Sequence, residues 1–190
     1  MSKRVFIVHG WDGNPGEGWF PWLKSELESS GFEVHVPEMP DPSSPDITAW
    51  VGHLTEMVGT PDANTYFVGH SIGCQTILRY LQQCGSPVGG VVCVAGWFTL
   101  SELETEEEKV IGKPWVETPI DFEKIRSVCP SITAVFSDDD EVVPLEANRS
   151  VFTEKLGATI IMETGKGHFS GSDGVTELPS VLEAIVNMSH

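Results

Sequence analysis

Positive charge is scarce in this chain: 11 lysines and arginines stand against 28 aspartates and glutamates, a formal net charge of -17 over 190 residues. A polyanion cannot displace counterions from phosphates, which excludes nucleic acid and anionic membrane as partners of the surface as a whole. No apolar run approaches the ~20 residues of a membrane span. The N-terminal stretch MSKRVFIVHG passes from two basic residues through a short apolar segment to His-Gly, too short for a signal-peptide core. The four cysteines, Cys74, Cys84, Cys93 and Cys129, form no close CxxC pair. That argues against a zinc site or a disulfide framework and for reduced thiols in a cytoplasmic protein. Repeats and low-complexity tracts are also missing. Apolar residues at 40% and charged ones at 21% describe an ordinary globular chain, and its length fits one domain over residues 1–190.

What is present is an alternation. Short runs rich in Val, Ile and Phe at residues 4–9, 32–36, 65–68, 90–95, 132–136 and 159–163 read as strands, several of them apolar throughout, as strands covered on both faces are. Segments of helical period fill residues 19–30, 47–58, 73–83, 145–156 and 178–188, with Gly31, Gly59, Gly85 and Gly157 where helix C-caps belong. Six strands alternating with helices predict a three-layer α/β/α sandwich around a mostly parallel sheet. One connection breaks the rhythm. Residues 97–130 carry Glu102, Glu104, Glu106, Glu107 and Glu108, then Gly112, Pro114 and Pro119. This is expected to be a long excursion over the sheet with one or two short helices and an acidic, solvated surface.

The strand at 65–68 runs into Gly69-His70-Ser71-Ile72-Gly73 and then into a helix. GxSxG in that setting places a serine on a sharp turn with its hydroxyl above the sheet edge, and the small glycines make room for the helix start. A serine hydroxyl needs a general base and an orienting carboxylate, which follow in the order Ser, Asp or Glu, His in sheets of this type. The strand at 132–136 leads into Asp138-Asp139-Asp140-Glu141, and the strand at 159–163 leads into Gly165-Lys166-Gly167-His168-Phe169. Both candidates sit past strand C-termini, where ligands bind in open α/β sheets. Within the acidic run Asp140 is preferred as the orienter and Asp139 is second, with Asp138 and Asp139 as alternative turn caps. A calcium loop does not fit, because alternate ligands, a central Gly and a distal Glu are misplaced. His168 is the expected base. His70 is expected to point away from the hydroxyl into packing or supporting hydrogen bonds, and His9 to shape the loop after the first strand; His35, His53 and His190 read as surface or satisfied residues.

That loop, His9-Gly10-Trp11-Asp12-Gly13-Asn14-Pro15-Gly16, and the residue after the serine are the places from which two backbone N–H groups could hold an oxyanion, here Trp11 and Ile72. A dinucleotide loop is the rival reading, but its glycine spacing departs from GxGxxG and it leaves Ser71, Asp140 and His168 unused. Trp11, Trp97 and Trp115 are expected at the site mouth, with core packing the alternative for each, and Phe169 joins Trp97 and Trp115 as a candidate substrate contact. Trp19 and Trp22 are expected to pack the first helix onto the sheet.

With these residues in place, the chain resembles the compact α/β-hydrolase family of retinoblastoma-binding protein nine. The likeness rests on Gly18-Trp19-Phe20-Pro21-Trp22-Leu23-Lys24, Met39-Pro40-Asp41-Pro42, Gly69-His70-Ser71-Ile72-Gly73, Lys113-Pro114-Trp115, Glu123-Lys124-Ile125 and Gly167-His168-Phe169. The resemblance implies a minimal α/β-hydrolase fold without a large lid domain and a cofactor-free serine hydrolase, with Ser71 as nucleophile, Asp140 as orienting acid and His168 as base. An ester or amide of a small molecule is the expected substrate. The pocket-protein contact in the family's name, through an LxCxE-like motif, finds no support here, since Ile72, Gln82, Val91 and Ser127 stand two before the cysteines. The alternatives are a catalytically idle interaction module on the same fold and a nucleotide-binding oxidoreductase. Five glutamates in the excursion over the site favour neutral or cationic substrates over anionic ones such as acyl-CoA.

Overall fold

The computed structural model describes residues 2–101, 103 and 105–190, so Glu102 and Glu104 of the acidic run lie outside the described residues. Six strands, β1 (Arg4–Val8), β2 (Glu33–His35), β3 (Thr65–His70), β4 (Gly90–Val94), β5 (Ile132–Ser137) and β6 (Thr159–Glu163), form one sheet in the order β2-β1-β3-β4-β5-β6. Every pairing in it is parallel. Strand alternation divides the core in two. Phe6, Val8, Phe67, Val91, Cys93, Ala134 and Phe136 face one side, packed with α2 (Ile47–Val58), α3 (Ile72–Leu81), α5 (Phe122–Val128) and α6 (Leu145–Leu156). Val5, Ile7, Tyr66, Val68, Val92, Val94 and Val135 face the other, packed with α1 (Phe20–Ser29) and α7 (Pro179–Met188). With both faces covered, β3, β4 and β5 are buried at every residue, which is why they read as continuous apolar runs.

The edges behave differently. The second strand is shorter than its apolar run, because the Phe32 N–H returns to the Leu27 carbonyl to close α1 and Pro37, lacking an N–H, cannot extend the ladder. At the other edge β6 is half exposed, with Met162 45% accessible. The four cysteines are buried free thiols.

The excursion after β4 is more regular than expected. It holds α4 (Glu106–Glu117), three turns long, as well as the short α5. Thr105 starts α4 with a capping box: its hydroxyl accepts from the Glu108 N–H while the Glu108 carboxylate accepts from the Thr105 N–H. Glu106, Glu107 and Glu108 occupy the first turn, where negative charge meets the positive end of the helix dipole. Arg79 anchors the other end. It lies on α3, a helix buried along its whole length, and donates to the Trp115 and Thr118 carbonyls at 2.9 Å. Burial pulls its guanidinium down to about 10.

The passage from β3 to α3 is tight. A Cβ on Gly73 would stand 2.3 Å from the Val8 carbonyl oxygen, and one on Gly69 would stand 2.7 Å from the Cys74 nitrogen. Only glycine lets the start of α3 cross over the end of β1 this closely.

Candidate active site

Ser71 occupies the turn between β3 and α3 with φ 53° and ψ -121°, a conformation that non-glycine residues rarely adopt. Its backbone is fixed on both sides, the N–H donating to the Val94 carbonyl at 2.9 Å and the carbonyl accepting from the Cys74 N–H at 3.0 Å. The turn therefore projects the hydroxyl beyond the carboxyl edge of the sheet, next to the point where strand order reverses between β1 and β3.

Three segments meet there. The Ser71 Oγ lies 2.9 Å from His168 Nε2, and His168 Nδ1 lies 2.9 Å from Asp140 Oδ2. An ionised carboxylate can only accept, so Nδ1 carries the proton and Nε2 turns its lone pair to the serine hydroxyl. The other Asp140 oxygen accepts from the Val142 and Val143 N–H groups at 2.9 and 3.0 Å, and the side chain is 4% exposed. Asp139 faces elsewhere: one of its oxygens accepts from the Ser137 hydroxyl and the Gly167 N–H, which hold its carboxyl below the usual range. Asp138 accepts from the Gly165 N–H. Each of the three consecutive aspartates thus grips one point of the histidine loop, and only Asp140 reaches the imidazole.

Trp11, Trp97 and Ser71 bound one cavity of about 930 Å³ with His70 and His168. The Trp97 indole N–H points at the Ser71 Oγ at 3.3 Å, so the hydroxyl accepts from Trp97 while donating to His168. The loop after β1 comes close, for a Cβ on Gly10 would lie 3.4 Å from Ser71 Cβ. Trp11 follows it directly, and Ile72 opens α3. Trp115 and Phe169 are placed elsewhere, contrary to the expectation that they contact substrate. Trp115 is 1% exposed, its indole N–H donating to the Pro45 carbonyl and its ring edge against Trp50, so it ties α4 to the start of α2. Phe169 is 1% exposed and packs with α1 and α7.

His9 is buried between the Gly10 carbonyl, to which Nδ1 donates, and the Met39 N–H, from which Nε2 accepts, and it shapes the loop. His70 Nε2 donates to the carbonyl of His168 at 2.7 Å. Burial, then the neighbouring His168, pulls His70 down to about 3. An unfolded histidine titrates near ~6.5, so between these values the unfolded chain binds a proton that the folded chain refuses. Stability therefore falls as pH drops through that window, by up to ~1.4 kcal/mol per pH unit from this group. Urea midpoints at pH 7 and pH 5 should fall less for His70→Gln than for wild type; equal falls would contradict this assignment.

Two residues with clear places here carried no recognisable signal. Glu17 lines the cavity, its carboxyl pushed up by desolvation. Asn148 on α6 accepts from the Phe98 and Thr99 N–H groups and donates to the Thr99 and Pro144 carbonyls, joining the cavity wall to the Asp140 turn.

A parallel sheet of this order with a strained serine at the β3–α3 turn defines an α/β-hydrolase fold. Residues 5–187 match the serine hydrolase family, and the chain belongs to it. It is 31% identical to YdeN of Bacillus subtilis (strain 168) over 98% of this chain and 96% of that one, and 29% identical to serine hydrolase RBBP9 of Rattus norvegicus over 98% and 95%. The crystal structure of the ydeN gene product superposes with a TM-score of 0.88 at 28% identity, covering 98% of both chains. Est1E from Butyrivibrio proteoclasticus shares the fold at a TM-score of 0.75 and 15% identity, over 98% of this chain and 88% of that one. Among the described residues no helix is long and apolar enough to cross a membrane.

Proposed function

We propose that this hydrolase cleaves a carboxylic ester or amide bond of a small substrate through an acyl-enzyme on Ser71. The observation that carries the reading is the continuous chain from Ser71 Oγ to His168 to Asp140, with both links at 2.9 Å. In the first half-reaction His168 Nε2 takes the serine proton as Oγ attacks the carbonyl carbon, then gives it to the leaving group. Asp140 keeps the imidazole in the productive tautomer and stabilises its protonated form. The N–H groups of Ile72 and Trp11 are the assigned oxyanion donors, and Trp97 walls the cavity beside the serine. Water attacks the acyl-enzyme with His168 again as base and releases the acid. A fluorophosphonate probe tests this reading against an idle module: wild type should be labelled and Ser71→Ala should not.

The cavity also carries a charge preference. Asp12, Glu17, Glu107, Glu108 and Glu141 line it, and among the described lining residues there is no lysine or arginine. A potential of this sign favours neutral and cationic substrates and is screened by salt. With matched esters of one acyl group, a cationic leaving group should be preferred over an anionic one severalfold at low ionic strength, and the two should converge at 0.5 M salt. A ratio indifferent to salt would contradict an electrostatic origin.

A further inference from the structure

We infer that His70 is a positioning residue for the hydrolytic reaction, holding the backbone of His168 so that the base keeps its distance from the nucleophile. This rests on the assignment of Ser71 and His168 proposed above. The loop that carries His168 is not a conformation the chain would keep unaided: Gly165, Gly167 and Phe169 all have positive φ, at 65°, 53° and 59°, and Phe169 is not a glycine. On one side the loop is held by the aspartate run already described. On the other, two ring N–H groups grip consecutive carbonyls. His70 Nε2 donates to the His168 carbonyl at 2.7 Å, and Trp19 Nε1 donates to the Phe169 carbonyl at 3.0 Å.

The placement of His70 gives the first bond its importance. It is the last residue of β3 and directly precedes Ser71, so one peptide step separates the group that holds the base from the nucleophile itself. The ring cannot wander. Trp19 and Phe20 meet it edge-on at 6.2 and 6.1 Å, and Gly10 lies so close that a Cβ there would sit 3.0 Å from Nδ1. Nδ1 is buried with no hydrogen-bond partner among the described residues. A single proton on Nε2 suits this surrounding, since a second on Nδ1 would be buried without an acceptor. His70 thus stays neutral 5.1 Å from the His168 ring, with Asp140 and Asp173 the carboxylates near enough to be felt. Keeping it neutral matters, because a fixed positive charge there would oppose the proton that His168 must take up. An apolar ring would fill the space equally well but hold nothing, and a displacement of about 1 Å at a reacting group can cost ~100-fold.

The test separates donation from packing. His70→Phe keeps a ring and removes the N–H; its kcat should fall about 10- to 100-fold with KM within about twofold. His70→Gln can place an amide N–H near the former Nε2 and should recover most of that loss, whereas the shorter His70→Asn should not. Trp19→Phe, which removes only the neighbouring N–H, should show a smaller fall in kcat and stands in if His70→Phe does not fold. A wild-type kcat in His70→Phe, a folded His70→Gln as slow as His70→Phe, or, where His70→Phe does not fold, an unchanged kcat in Trp19→Phe would overturn the inference. Fluorophosphonate labelling of wild type is run alongside: an unlabelled wild type counts against the Ser71 assignment itself, while a labelled wild type with an unaltered His70→Phe counts only against the role of His70.

Discussion

Ser71→Ala is expected to lower turnover by about 10⁵- to 10⁶-fold, the scale on which loss of the nucleophile acts when its partners work as a unit. The reason is visible in the hydroxyl's surroundings. It accepts from Trp97, donates to His168 and stands on a backbone turn with φ 53°. Alanine fits the same turn without new contacts, so the fold should survive, and circular dichroism and thermal midpoints close to wild type would show that chemistry alone was lost. No other serine is expected to substitute: Ser43, Ser101, Ser170 and Ser172 share the cavity, yet none of them bonds to His168, the Ser43 hydroxyl donating to Asp41 and the Ser170 hydroxyl being engaged with Ser172 and Asp173. Residual activity within tenfold of wild type would mean that the reaction runs through another group.

Asp140→Asn is expected to cost about 10³- to 10⁴-fold in turnover. An amide can offer its N–H₂ to Nδ1, which stabilises the tautomer with the proton on Nε2 and so removes the lone pair that must receive the serine proton. Asp139→Asn should cost far less. Its carboxylate accepts from the Ser137 hydroxyl and the Gly167 N–H and supports the loop without touching the imidazole. Measuring kcat for the two variants under identical conditions discriminates them, and a crippled Asp139→Asn beside a near-normal Asp140→Asn would reverse the assignment within the acidic run.

That run shows where the sequence was informative and where it stopped. The strand–GxSxG–helix pattern and the histidine after the last strand depend on local chain geometry, so they were legible. Choosing among adjacent aspartates depended on which carboxylate the turn aims at the imidazole; the Asp-x-Val-Val-Pro spacing favoured Asp140 because the short turn after it leads into the helix at Leu145. The capping of that turn, expected of Asp138 and Asp139, falls instead to Asp140 itself, which accepts from the Val142 and Val143 N–H groups. The central strands were legible because burial on both faces writes an apolar run; the edge strand at residues 33–35 was overextended because the apolar Phe32 serves the end of α1 instead. Helix α4 was foreseen only as one of one or two short helices in the excursion, its length obscured by its own charge. Thr105-Glu106-Glu107-Glu108 is a capping box followed by a favourable first turn, and within an acidic run it passed as solvated surface. Trp115 and Phe169 were misplaced for a different reason: an aromatic residue in the sequence beside a site carries no sign of whether its ring turns toward the cavity or the core. The hold of His70 on His168, 98 residues away, is a long-range contact with no local pattern at all.

The most direct test of the central claim is to catch the acyl group. Wild-type protein quenched in acid during turnover of an activated acyl ester, digested and analysed by mass spectrometry should carry the acyl mass on Ser71 within the peptide containing Gly69-His70-Ser71. Asp140→Asn and Ser71→Ala, treated alike, should carry little and none. An acyl group found on a different residue, or steady wild-type turnover of the activated ester with no adduct on Ser71, would contradict the account.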